Sequence, residues 1–143
     1  MIEYKPLKGE DYDRLTTLWT ECGIHYRKTG RDSRERIEKE AREKPGHLIG
    51  AFDGEELIGC VIVTDDGRKG EICRLAVKDD YRRRGIASEL VKKCEKVLEG
   101  KGTEIKFVTI ERNNSVSLKL FEKLGYEVRD QILYVSKKPH KDA

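Results

Sequence analysis

Three consecutive arginines stand directly before a glycine in the stretch YRRRGIAS, residues 81–88. Apolar residues recur at helical spacing after this stretch, so the arginines precede the first turn of a predicted helix. That turn exposes unpaired N–H groups and the positive end of the helix dipole, which disfavours nearby cations. A bound phosphate would remove the conflict, because the N–H groups and the arginines would bind the same negative charge. The stretch therefore predicts an anion site, and an arginine-rich surface loop is the alternative.

A longer run, LAVKDDYRRRGIAS, resembles the signature of the GNAT superfamily of N-acetyltransferases. The family pattern Q/R-x-x-G-x-G/A is filled here by Arg82, Gly85 and Ala87. The resemblance continues through NNSVSLKLFEKLGY and covers residues 71–126. It implies an acetyl-CoA-dependent enzyme in which the loop and the helix start hold the pyrophosphate of acetyl-CoA.

The resemblance assigns three groups of residues to the co-substrate. Backbone groups of a strand would pair with the pantetheine arm, the arginine loop would bind the pyrophosphate, and two residues of a later helix would lie near the thioester. These residues are Leu75, Ala76, Val77, Arg82, Arg83, Arg84, Gly85, Ile86, Ala87, Ser88, Asn114 and Phe121. Asn114 also suits a helix N-cap, and both interpretations stay open.

Glu71 is the candidate general base. A protonated acceptor amine must lose a proton before it attacks the thioester. The resemblance implies this role for a glutamate eleven residues before Arg82, which is the position of Glu71. The alternative is an ordinary solvated residue that follows the turn RKG.

The chain departs from the family where a proton donor for the leaving thiolate is expected. Many members carry a tyrosine seven residues after the asparagine, and this chain has Phe121 there. Tyr126, Tyr134 and Tyr81 are the candidate substitutes. The alternative is a thiolate that leaves without a proton donor, since a thiol pKa near about 8.5 makes it a tolerable leaving group.

The resemblance places the acceptor site at the loop between the first two predicted helices and at the last hairpin. Tyr26, Arg27 and Arg31 lie in that loop and suit an acceptor with a carboxylate or phosphate group; a solvated connection is the alternative. Three functions remain. They are direct acetyl transfer in a ternary complex to a primary amine of a small molecule, acetylation of a protein N-terminus or lysine, and a non-catalytic acyl-CoA-binding or regulatory module.

The remaining sequence predicts the scaffold. Apolar strands joined at Asp53-Gly54 and DDGRKG indicate an antiparallel meander, and a helix after the arginines makes the strands at 71–77 and 104–111 parallel neighbours. With the resemblance, this predicts an α/β fold with splayed parallel central strands, about four helices and a mixed sheet of roughly six to seven strands. The stretch YEVRDQILYVS supplies one or two of those strands. Residues 1–136 are expected to form one domain, and 137–143 a disordered polar tail.

Composition argues against several other classes. The 30 basic and 27 acidic residues give a net charge of +3, without the basic excess of a nucleic-acid-binding protein. No segment approaches the roughly 18 apolar residues of a membrane span, and the first residues lack a signal peptide. The four cysteines are far apart and form no CxxC pair, so a disulfide or zinc framework is not expected. We therefore expect a cytoplasmic, metal-free enzyme with an amine-bearing small molecule or peptide as partner, and leave a homodimer open.

Overall fold

The computed structural model describes residues 1–143. Its helices and strands follow one another as β1 (Ile2–Pro6), α1 (Tyr12–Glu21), α2 (Arg34–Glu43), β2 (Leu48–Asp53), β3 (Glu56–Asp65), β4 (Lys69–Val77), α3 (Ile86–Gly100), β5 (Ile105–Phe107) and α4 (Ser115–Lys123). The predicted α/β architecture with a mixed sheet and about four helices is confirmed.

The strands form a single sheet in the order β1-β2-β3-β4-β5. The first four strands pair antiparallel, and β4 pairs with β5 in parallel because α3 connects them as a crossover. Gly54 in the β2–β3 turn has a φ of 63°, the left-handed conformation that an Asp-Gly turn favours. The predicted meander and the parallel pairing of β4 with β5 are both confirmed, although β5 lies at the edge of the sheet rather than at its centre.

Each face of the sheet carries its own hydrophobic core. Leu90, Val91 and Cys94 of α3 are buried on one face, and Leu18 and Trp19 of α1 are buried on the other. Residues of β3 alternate between the two cores, because successive side chains of a strand point to opposite faces. The sheet is therefore a central layer with α1 and α2 on one side and α3 on the other.

The sheet has five strands, fewer than predicted, because residues 127–136 form none. Ile132, Leu133, Tyr134 and Val135 are 68–87% exposed, and none of them belongs to either core. A strand needs a paired neighbour and a face to bury against a core, and residues 127–136 have neither. The predicted final strands were wrong for this reason, and the outer edge of β5 stays unpaired.

Strands β4 and β5 pair only from Lys69 to Glu71, opposite Ile105 to Phe107. Beyond Glu71, β4 contains an extra residue relative to β3, since Ile62 pairs with Cys73 and Cys60 with Ala76. Arg74 lies in this bulge with a φ of 54°. A bulge bends its strand and increases the local twist. The predicted splay corresponds to this short ladder, which leaves the β5-facing edge of residues 72–77 open.

Gly70 gives a stability prediction for the core beneath this ladder. A Cβ at Gly70 would collide with the side chain of Leu98, which is fully buried. We expect Gly70→Ala to lower the free energy of unfolding by about 1–3 kcal/mol, the usual cost of overpacking. Gly100→Ala is the control, because a Cβ there meets nothing within 4 Å. It should be neutral or stabilising by up to about 1 kcal/mol in urea denaturation.

Candidate active site

The connection between β4 and α3 presents a row of free backbone donors. Arg83 has a φ of 66° and Gly85 a φ of 77°, so the chain turns sharply just before the helix. The N–H groups of residues 83–88 donate to no acceptor within the protein, and Gly85, as N-cap, has no side chain to accept from them. Successive free N–H groups at a turn and a helix start form a concave site for an anion. The structure thus has the backbone donors that the sequence predicted here.

The three arginines, residues 82–84, lie at the start of this row of donors in the chain and are all exposed. Arg82 pairs with Asp79 at 3.2 Å and donates through Nε to the carbonyl of Val77 at 3.4 Å. The guanidinium of Arg84 lies over the ring of Tyr81, 4.9 Å from its centroid. These contacts orient Arg82 and Arg84 beside the loop, so their positive charge adds to that of the helix dipole.

The strand that leads into this loop has an open backbone edge. Ala76 and Val77 pair with Cys60 and Gly59 of β3, and their side chains are buried in opposite cores. No ladder joins residues 72–77 to β5, so main-chain groups on that side are available to an extended ligand. Leu75, Ala76 and Val77 therefore meet the geometric requirement for pairing with the pantetheine arm.

Glu71 lies on β4 opposite Phe107 of β5, at the last step of their parallel ladder. Its side chain is half-buried, and Oε2 accepts a hydrogen bond from Thr109 Oγ1 at 3.4 Å. Glu71 and Cys73 alternate with Ile72, which is buried in the α3-side core, so both point to the α2 side of the sheet. Glu71 is thus placed at the point where the ladder between β4 and β5 ends.

Cys73, the neighbour of Glu71 on this face, is not poised as a nucleophile. Burial, followed by the negative charge of Glu71, raises the pKa of the Cys73 thiol to about 12. Burial likewise raises the pKa values of Cys22, Cys60 and Cys94. A thiol needs a lowered pKa to act as a nucleophile near neutral pH, so none of the cysteines is activated for covalent catalysis.

The tyrosine candidates have different surroundings. Tyr126 Oη donates to Glu95 Oε2 at 2.7 Å, and burial and this hydrogen bond raise the pKa of Tyr126. Its ring packs edge-on against Phe121, with 5.1 Å between ring centroids. Tyr81 Oη donates to Asp53 Oδ2 at 2.6 Å, and Tyr134 is 79% exposed. The structure does not bring these hydroxyls together with Glu71 in any hydrogen-bond network.

Asn114 serves as the N-cap of α4, since its Oδ1 accepts the N–H of Ser117 at 3.1 Å. The capping interpretation is therefore confirmed, and it leaves the Nδ2 donor of Asn114 without a partner in the protein. Phe121 on the same helix is buried in the α3-side core. A contact between these residues and a co-substrate stays a prediction.

The α1–α2 loop, residues 22–33, covers the α2 side of β4. Tyr26 packs on Trp19 with 5.6 Å between ring centroids, while Arg27 and Arg31 are exposed. Ile24 and Tyr26 of this loop and Cys73 of β4 pack against the same core cluster, so the loop lies on the side of the sheet that carries Glu71.

Two residues of this face were missed from the sequence. Glu40 of α2 is a half-buried carboxylate whose pKa is raised by burial. Its negative charge contributes to the raised pKa of the Cys73 thiol. Its only signal was a position on the face of α2 that carries Ile37. Arg74 was the other omission, and its signal was a lone charge within the apolar strand ICRLAV.

Neither a metal centre nor a membrane segment is found. No group of three or more His, Cys, Asp or Glu side chains is arranged to hold a metal ion. None of the helices has the length and hydropathy that crossing a membrane requires.

Comparison with known proteins agrees with this geometry. An acetyltransferase of Sodalis glossinidius is 28% identical over 137 residues, covering 96% of this chain and 95% of the relative. An acetyltransferase of Pectobacterium atrosepticum is 29% identical over 131 residues, covering 92% of each chain. The PaiA N-acetyltransferase of Thermoplasma acidophilum, solved in complex with coenzyme A, superposes with a TM-score of 0.80 at 26% identity, covering 91% of this chain and 92% of that one.

The model of the acetyltransferase (GNAT) family matches residues 12–126. This range contains the free N–H groups, the three arginines and Glu71. From α1 to Tyr126, therefore, the chain belongs to the GNAT family of acetyltransferases.

Proposed function

We propose that this enzyme transfers the acetyl group of acetyl-CoA to a primary amine by direct attack in a ternary complex. The observation that carries the proposal is the row of free N–H groups at residues 83–88, flanked by three exposed arginines at the start of α3. A pyrophosphate needs several donors and positive charge at one place, and the protein provides both here. The relative from Thermoplasma acidophilum was solved with coenzyme A, which supports this assignment.

The co-substrate residues divide the work of binding. Gly85, Ala87 and Ser88 have small side chains and allow a phosphate to approach the backbone, while Arg82, Arg83 and Arg84 contribute charge and Ile86 anchors the helix start in the core. Leu75, Ala76 and Val77 offer the open strand edge to the pantetheine arm. Asn114 and Phe121 border the thioester end. Bound acetyl-CoA would supply an acetyl group already activated as a thioester.

Glu71 acts on the acceptor as the general base. Its carboxylate takes a proton from the ammonium group, directly or through water, so that the amine lone pair can attack. Thr109 restricts the carboxylate by donating to Oε2. The unactivated cysteines favour direct attack over an acetyl-cysteine enzyme.

No tyrosine is needed to protonate the departing thiolate in this proposal. Tyr126 and Tyr81 donate to carboxylates at 2.7 and 2.6 Å, and Tyr134 is exposed without a hydrogen-bond partner. A thiolate with a pKa near about 8.5 can leave unassisted. The family's usual tyrosine is replaced by Phe121, which agrees with this route.

Tyr126→Phe tests the unassisted route. We expect kcat within about twofold of the wild type, and a free energy of unfolding lower by about 1 kcal/mol at pH 7 because one hydrogen bond is lost. Steady-state kinetics and urea denaturation measure the two effects, with Tyr81→Phe and Tyr134→Phe measured beside it. A drop in kcat of about 100-fold with unchanged acetyl-CoA affinity would identify the substituted tyrosine as a general acid.

The exposed Arg27 and Arg31 support an acceptor that carries a carboxylate or phosphate beside its amine. The test is thiol release from acetyl-CoA with a panel of amino acids, an aminoglycoside, spermidine, and peptides with a free N-terminus or a lysine. Turnover of amino acids above spermidine is expected. Preference for peptides would indicate a protein acetyltransferase, and calorimetric binding without any turnover would indicate a non-catalytic acyl-CoA-binding module.

A further inference from the structure

Arg74 has a backbone and a side chain that its strand alone does not explain. Its φ of 54° lies in the left-handed region, which side-chain-bearing residues adopt only when their surroundings hold them there. Its side chain is 18% exposed although it carries a full charge. The bulge that produces this conformation comes directly before Leu75, in the strand with the open edge.

The guanidinium of Arg74 makes three contacts, all with the α1 region and the α1–α2 loop. Nη2 donates to Asp32 Oδ2 at 2.7 Å, and Nη1 donates to the carbonyl of His25 at 3.0 Å. The guanidinium carbon also lies 5.2 Å from the ring centroid of Trp19. The side chain of Asp32 is itself 7% exposed, so removal of Arg74 would leave a carboxylate shielded from water without its partner, which costs more than the loss of a surface pair.

The loop is also attached by the packing of Ile24 and Tyr26 against the α1-side core and by a hydrogen bond from Tyr12 Oη to the Asp32 carbonyl at 2.7 Å. Gly23 and Gly30 have φ values of 76° and 83° and bracket a segment in which residues 25 and 27–29 are exposed. Within that segment, Ile24 N–H donates to the Trp19 carbonyl at 2.8 Å and Arg27 N–H donates to Asp32 Oδ2 at 3.4 Å. The second of these uses the same carboxylate oxygen as Arg74. The polar contacts of residues 25–27 therefore run through Asp32 and Arg74.

We propose that Arg74 is a positioning residue for the acceptor, which holds the α1–α2 loop against the face of β4 that carries Glu71. Ile24 and Tyr26 of the loop and Cys73 of β4 pack against the same core cluster, so the loop lies on the side of the sheet that carries Glu71 and its position shapes the surface that an acceptor amine meets. The same bulge that places Arg74 under the loop bends β4 beside the open edge. This inference rests on the proposed function.

Trypsin tests the loop directly, because Arg27, Lys28 and Arg31 are cleavage sites within it. For full-length Arg74→Met we expect about tenfold faster cleavage at these sites, since proteolysis of a folded chain follows the population of its locally open form. Arg34→Met is the matched control: Arg34 also covers an aromatic ring, Tyr12, but its ion pairs are with Asp13 of α1 and Glu38 of α2 rather than with the loop. Mass spectrometry of the fragments measures the cleavage rate at each site. Equal cleavage rates in the two variants would overturn the inference.

A double variant tests whether Arg74 and Asp32, which together form the clamp on the loop, act through their mutual contact or only through the stability of the whole fold. Arg74→Met/Asp32→Asn removes both charges, so no buried charge is left without a partner. If the two residues act through one contact, the double variant is cleaved no faster than the more affected single variant. Arg74→Lys, which retains the charge without the planar fork, should fall between the wild type and Arg74→Met. Additive effects of the single substitutions would count against the clamp.

Kinetics with the panel amine of highest kcat/KM test the positioning role. For Arg74→Met, the acceptor KM should rise about tenfold, with kcat changed less and the calorimetric Kd for CoA unchanged. An unchanged acceptor KM in a variant with a more open loop would overturn that role. A wild-type protein that acetylates no panel amine would contradict the proposed function, and the loop measurements would still stand because they need no acceptor.

Discussion

Gly85→Glu is expected to abolish measurable binding of CoA. The substitution places a carboxylate at the helix start where the pyrophosphate is proposed to bind. Two like charges about 4 Å apart repel by about 4 kcal/mol at an effective dielectric constant of 20, which corresponds to a loss of about a thousandfold in affinity. A side chain at Gly85 meets nothing within 4 Å, so the fold loses only the strain of a φ of 77°. That strain costs about 1–2 kcal/mol.

Two controls separate charge from strain in this prediction. Gly85→Ala introduces the same backbone strain without the charge, and should retain most of the affinity for CoA. Gly102→Glu places the same charge at a glycine with a φ of 76° and equally open surroundings, beyond the other end of α3. Calorimetry with CoA and thermal denaturation measure binding and folding. Near-normal CoA binding by folded Gly85→Glu would refute an anion site at the start of α3.

Glu71→Gln is expected to lower kcat by about 10²–10³, within the range for loss of a general base. Glutamine keeps the shape of the side chain and can still accept from Thr109, but it cannot take a proton from the amine. The deficit should grow as the pH falls, because a larger fraction of the acceptor is then protonated. The Kd for acetyl-CoA should not change, since Glu71 lies at the end of the β4–β5 ladder rather than in the arginine loop.

Glu40→Gln is the matched control for this second prediction. Glu40 is a half-buried carboxylate on the same side of the sheet, but it belongs to α2. Its replacement should leave kcat within about threefold of the wild type, as for a group that transfers no proton in the reaction. The measurement is kcat and kcat/KM between pH 6 and 9 for both variants. A Glu71→Gln profile parallel to that of the wild type would remove Glu71 from proton transfer.

Local signals were enough to predict most of the framework. Ile86, Leu90, Val91, Cys94 and Leu98 recur at helical spacing and are all buried in α3. Gly85 marked the start of that helix, and Asp53-Gly54 marked a hairpin turn; both are formed within a few residues. The arginine loop could be predicted for the same reason, since its N–H groups and charges are neighbours in sequence.

Features that depend on distant residues could not be predicted. The clamp joins Arg74 to Asp32, and the hydrogen bond of Tyr126 joins it to Glu95, so each depends on where other elements pack. The apolar run at 132–135 had the composition of a strand, but a strand also needs a paired neighbour and a face to bury. The composition of residues 132–135 could be read from the sequence, but the absence of a strand that pairs with them could not.

The unpaired edge of β5 and the exposed run Ile132–Val135 have a consequence for handling the protein at high concentration. Open strand edges and uncharged apolar segments favour aggregation through intermolecular β-pairing. Charged residues flank this run, with Arg129 and Asp130 before it and Lys137 and Lys138 after it, and such gatekeepers oppose stacking of identical chains. Their repulsion is screened within about 10 Å at 0.1 M salt. Dilute, low-salt buffers therefore keep identical chains apart better than concentrated salt does.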